Sequence, residues 1–169
     1  MRRNITLAYL ILVVAQVLIC NYFHVTQYVM LSILPAMILC LPPKCGTTAS
    51  LLIAFVTGLA VDFLADGVPG LNAMALLPVA MLRLPVIRFV FGEDVFESGG
   101  FSLRRNGIAK VSFAVILVQA LFLLLYILAD GAGTRPFWFN ISRLGASLLA
   151  GYLLSLLIVD ILSPDNRDL

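Results

Sequence analysis

Charge is scarce in this chain. Asp, Glu, Lys and Arg make up 12% of its 169 residues, against roughly 25% in soluble domains. That scarcity excludes an ordinary water-facing surface. Histidine is nearly absent too: His24 stands alone at the edge of an apolar run, where a lone imidazole reads as an interfacial residue. A Ser-His-Asp triad or a His-rich metal centre is not indicated, and no His/Cys/Asp grouping has metal-ligand spacing. Cysteine is limited to Cys20, Cys40 and Cys45, an odd number with no CxxC pair. These read as small apolar residues and not as a disulfide or zinc framework. No glycine-rich phosphate loop occurs. Neither a cofactor nor a nucleic acid is expected.

What is present is apolar sequence. Hydrophobic residues reach 62%, and the mean hydropathy is +1.06. No packing of a chain this short hides so much apolar surface from water, so the expected solvent is lipid. Six apolar segments emerge: Ile5–Phe23, Val25–Leu41, Thr47–Leu64, Leu71–Phe91, Ala109–Ala129 and Phe139–Leu162. Each is near the ~20 residues that cross ~30 Å of hydrocarbon. Helices satisfy their own backbone in lipid, so the sequence predicts an all-α integral membrane protein: one domain over 1–169, a six-transmembrane-helix bundle. The first segment follows Arg2 and Arg3, exceeds the length of a signal h-region and lacks a small-x-small cleavage site, so it is expected to be retained. The fourth is interrupted by Pro78, Arg83, Pro85 and Arg88. It is expected either to kink with Arg83 snorkelling to the interface, or to lie on the membrane from about residue 84.

Orientation follows from Lys and Arg in the connections. Six crossings put Arg2, Arg3, Lys44, Arg83, Arg88, Arg104, Arg105, Lys110 and Arg167 on one side, and only Arg135 and Arg143 on the other. Both termini are therefore expected in the cytoplasm. The longest cytoplasmic connection, Gly92–Asn106, mixes acidic and basic residues and is either a solvated loop or a contact for a soluble partner.

Asp62 is the unusual residue. It lies in the third apolar segment, where a carboxylate costs roughly 2–4 kcal/mol at the bilayer centre and less near the interface. Topology moves it toward the outer end. Asp66 follows four residues later, and the two could bind a cation or relay protons. Gly67 and Pro69 are expected to end the helix there, which favours a local structural role in which Asp62 accepts hydrogen bonds from a neighbouring helix or loop. Arg143 is a candidate ion-pair partner for Asp62; Arg83 or Lys44 suits Asp160 at the inner end. In the sixth segment Ser147, Gly151 and Ser155 recur every four residues, with Gly145, Ala146 and Ala150 alongside. Such small residues let helix backbones approach closely, either within the bundle or as a docking face for a partner's helix. Ser112, Gln119 and Tyr126 form a polar stripe on the fifth segment, expected to face inward.

The run Phe55-Val56-Thr57-Gly58-Leu59-Ala60-Val61-Asp62, followed by Gly67 and Gly70-Leu71-Asn72-Ala73, resembles the MreD family of rod shape-determining proteins. Gly58, Leu59, Asp62 and Gly70 match the family's Gly-Leu-x-x-Asp element and the glycine turn after it. The resemblance implies a non-enzymatic scaffold or regulatory subunit in the bacterial inner membrane. It also implies partners: an MreC-like bitopic protein, an MreB-like filament, and the peptidoglycan synthases of the cell-elongation complex. The family is similar in fold to the substrate-binding subunits of energy-coupling-factor vitamin transporters, which supplies a rival reading. No Ala-xxx-Ala pattern of the kind those subunits carry occurs in the first segment, where Ala8 and Ala15 are seven apart. A small ion or proton transporter would rest on Asp62 and Gln119 alone.

Overall fold

The structure is a computed structural model; residues 5–22, 29–42, 45–66, 69–92, 107–130 and 137–162 are described. The helices are α1 (Ile5–Tyr22), α2 (Leu34–Leu39), α3 (Thr47–Val61), α4 (Leu71–Phe91), α5 (Ile108–Asp130) and α6 (Phe137–Leu162). A π-helical turn, Asp62–Asp66, continues α3. The expectations placed on His24, Arg2, Arg3, Lys44, Arg135, Arg167 and the connection after Gly92 lie outside the described residues, as do the side chains of Asp66 and Asp160.

Four helices are long and apolar enough to cross a membrane: Thr47–Ala65, Leu71–Phe91, Ile108–Asp130 and Trp138–Val159. A fifth apolar helix, Leu7–Tyr22, is shorter. Large apolar side chains stand outward along whole faces: Leu7, Leu10, Ile11, Val14 and Leu18 on α1, Leu52 and Val56 on α3, and Leu149, Leu153 and Leu157 on α6. Faces of this extent are not sustained in water by a soluble monomer. The protein is a helical membrane protein.

Neighbours in sequence pack as neighbours in space, α3 on α4, α4 on α5 and α5 on α6. Tyr9 meets Thr57 and Asn21 meets the Leu64 carbonyl, so α1 runs in the same direction as α3. Tyr152 Oη donates to Ser112 Oγ at 2.9 Å near one end of the α5–α6 pair, and Arg143 meets Asp130 near the other, so these two helices are antiparallel.

The fourth and second segments depart from expectation. The fourth is one helix through Pro78 and Pro85 to Phe91. It does not stop near residue 83 and lie on the membrane surface. Arg83 does not snorkel; it is fully buried. The second segment is not a spanning helix across the residues described. Residues 29–33 carry no helix, and only the six residues of α2 are helical. Pro35 sits in the first turn of α2, where its missing N–H is not needed; further inside a helix it would clash with the carbonyl of residue 31. Pro42 and Pro43 bar continuation past Leu41. All six residues of α2 are buried, and it touches α1, α3, α4, α5 and α6. The shortest helix is thus the centre of the core.

Candidate functional site

Every polar side chain that the fold buries deeply raises the same question: in lipid or in an apolar core, an unmet donor or acceptor is expensive. Two clusters and one cation answer it.

The first cluster is the α3–α4 hairpin. A helix leaves its first amides without partners. The N-cap of α4 is Gly70, whose φ of 97° is left-handed and which has no side chain to cap with. Asp62 fills the role from the preceding helix. Its Oδ2 accepts from the Gly70 N–H at 3.0 Å and the Ala73 N–H at 3.2 Å. Its Oδ1 accepts from the Asn72 N–H and from Asn72 Nδ2, each at 2.9 Å. The carboxylate is completely buried, so these charge-assisted bonds and the positive end of the α4 dipole replace its water. Gly58 sits one turn before Asp62 at the closest approach of the two helices. A Cβ there would lie 2.5 Å from Ala73 Cα and 2.7 Å from Ala73 N, so only glycine lets the backbones meet. Leu59 is half-buried beside it. Gly58, Asp62 and Gly70 therefore form one device: close approach, cap and left-handed turn.

The second cluster surrounds the non-helical residues 29–33. Gln16 of α1 accepts from the Ile33 N–H with Oε1 at 2.8 Å and donates from Nε2 to the Leu31 carbonyl at 3.2 Å. Gln119 of α5 donates from Nε2 to the Ser32 carbonyl at 3.0 Å. Ser147 of α6 accepts from the Met30 N–H at 2.8 Å. Ser155 donates to Gln119 Oε1 at 3.4 Å, and Gly151 leaves the space that the Gln119 amide occupies. Gln16, Gln119, Ser147 and Ser155 are all buried. Non-helical backbone at membrane depth is tolerated only where protein satisfies it, and here three helices do so with side chains.

The cation is Arg83. Its guanidinium binds the carbonyls of Leu39, Leu41 and Cys45, and donates to Ser50 Oγ at 3.0 Å. It covers the carbonyl end of α2, where a positive charge is favoured.

Several expectations are corrected by this arrangement. Asp62 and Arg143 do not pair: Asp62 is taken up by amides, and Arg143 Nη1 donates to Asp130 Oδ2 at 2.5 Å. Ser147, Gly151 and Ser155 are not an outward docking face, because they are buried against residues 29–33 and Gln119. Gly145 alone of that group faces outward, with nothing within 4 Å of where a Cβ would stand. The Ser112, Gln119, Tyr126 stripe does face inward. The three cysteines are free thiols. Sequence reasoning missed Gln16, Ser50 and Asn72. Gln16 carried the signal that singled out Asp62, a polar side chain within an apolar helical run.

These features define a class: a helical membrane protein in which buried polar side chains hold its own backbone. For the particular family, the comparisons are silent. No protein-family model matches the chain, and neither the curated proteins nor the solved structures contain a match.

Proposed function

We propose that the chain is a non-enzymatic scaffold or regulatory subunit of the bacterial cell-elongation complex, of the MreD type. In this reading it crosses the inner membrane six times, the second crossing being the broken segment around α2, with both termini cytoplasmic. The observation that carries the proposal is the occupancy of Asp62. The acid that would serve a transporter is bound by three backbone amides and Asn72, which suits a rigid hairpin better than a moving proton. Gln119, the other residue a transporter would use, is likewise bound to backbone. The Gly58–Gly70 element that resembles the MreD family is thus a structural lock, consistent with a part whose task is to present surfaces.

The partners in this reading are an MreC-like single-helix protein, an MreB-like filament and the peptidoglycan synthases. The surface that receives the partner's helix is then one of the outward apolar faces, since Ser147–Ser155 is occupied within the bundle. The test is depletion of the protein in its rod-shaped host, with cell width followed by microscopy and partners identified after detergent co-purification. Cells should round, and an MreC-like protein should co-purify. Rods of normal width, without such a partner, would sink the proposal; normal rods with lost vitamin uptake would favour the transporter-subunit rival.

A further inference from the structure

The outward faces of α4 and α5 share a pattern. On α4, Met74, Met81, Pro85 and Arg88 are exposed, at spacings of seven, four and three that put them on one helical stripe. On α5, Lys110, Phe113, Leu124 and Leu128 are exposed and form a second such stripe. Each stripe is apolar along its length and carries a cation at its end. The stripes lie side by side. α4 packs against α3 and α5, α5 packs against α4 and α6, and α2 touches both. Each helix is therefore left with one open side, away from α2, and it is the same side of the layer. The two cations also lie at one end. Arg83, in the second half of α4, holds the carbonyls at the close of α2. Ser147, one turn from the Arg143 that meets Asp130, binds Met30, and Gln119 binds Ser32. Going back along α5 from Asp130 to Lys110 thus follows the chain from Met30 toward Leu41, and arrives at the end where α4 closes.

We infer that Arg88 and Lys110 form a site for the phosphate of an anionic phospholipid whose acyl chains lie along the two apolar stripes. An exposed face within the bilayer is covered by acyl chains, and a lipid seated there brings its headgroup to the level where the stripe ends. Long cationic side chains near helix ends extend to that level. Packed helix axes lie about 8–10 Å apart, so an arginine and a lysine on neighbouring helices are long enough to lean toward one phosphate. The guanidinium offers paired donors that match phosphate oxygens, and the ammonium adds a point charge. A zwitterionic lipid presents the same phosphate but brings its own cation, which opposes both. A free phosphate would meet the charges but gain nothing from the apolar walls, which Phe89 and Ile108 extend beside the two cations. The site rests on the helical membrane fold and is independent of the cell-elongation assignment.

Native mass spectrometry of the purified protein tests the site, with phosphatidylglycerol or phosphatidylcholine titrated into the detergent. The first phosphatidylglycerol should bind several-fold more tightly than phosphatidylcholine. A cation near the membrane surface is worth about a fivefold preference for anionic lipid. Arg88→Gln and Lys110→Gln should therefore each lower that first affinity about fivefold, and the double variant should lower it further. Both side chains are exposed, so helicity and elution position should be retained. In the unaltered protein the preference should fall as ammonium acetate is raised, and an excess of glycerol phosphate should not displace the lipid. Equal affinity for the two lipids, an unchanged affinity in the folded double variant, or a preference that ignores salt overturns the inference. Displacement by glycerol phosphate also overturns it, in favour of a free-anion site.

Discussion

The Asp62 hairpin and the Gln16–Gln119 clamp solve the same problem in opposite ways. Each supplies partners to backbone groups that lie out of reach of water. The hairpin does so locally, with an acceptor 8 to 11 residues before the amides it serves. The clamp does so at a distance, with side chains 15 to 117 residues from theirs. The hairpin uses one full charge on several amides, whereas the clamp divides the task among neutral groups on three helices. A single carboxylate concentrates the stabilisation in one residue. A divided clamp spreads it, so that no one member is decisive.

That contrast can be broken by substitution, beginning with the largest effect. Asp62→Leu removes the acceptor for three amides at the start of α4, and should destabilise the protein by about 3 kcal/mol. Unfolding by SDS titration in mixed micelles measures it, and a loss no larger than that of a single clamp residue would erase the distinction. Gly58→Leu comes next. Its side chain has no room beside the Ala73 backbone, so α3 and α4 must separate, at about 2 kcal/mol. The same titration reads that loss, and a cysteine crosslink between the two helices should weaken with it. The smallest effect belongs to the clamp: Ser147→Ala should lower stability by only about 0.6 kcal/mol, the mean for interhelical side-chain hydrogen bonds in membranes. A loss above about 2 kcal/mol would show the clamp to be as concentrated as the hairpin.

The same difference in range explains what could be read from the sequence. Asp62, the glycines around it and the turn at Gly70 lie within one short stretch, so spacing alone placed them on a helix end and turn. The inward stripe of Ser112, Gln119 and Tyr126 was legible because helical periodicity is local as well. The break in the second segment was not. Val25–Leu41 has a spanning helix's length and hydropathy, and the groups that keep part of it unwound sit on α1, α5 and α6. Hydropathy sees neither them nor the burial of Arg83, whose acceptors come from α2, from α3 and from the chain between them. Small-residue spacing on α6 correctly marked a close approach. It did not say whether the approaching backbone belonged to the same chain, and the structure puts residues 29–33 of this chain there.

Arg83 has a consequence for how the protein is made. An arginine near the centre of a helix adds about 2.5–3.5 kcal/mol against insertion, and Pro78 and Pro85 flank it in α4. Its acceptors at Leu39, Leu41, Cys45 and Ser50 all precede it, by 33 to 44 residues. They have therefore left the ribosome before the arginine emerges. The nascent chain arrives at its least insertable helix with the receptor for that helix's charge already synthesised, so the order of the gene is also a workable order of assembly.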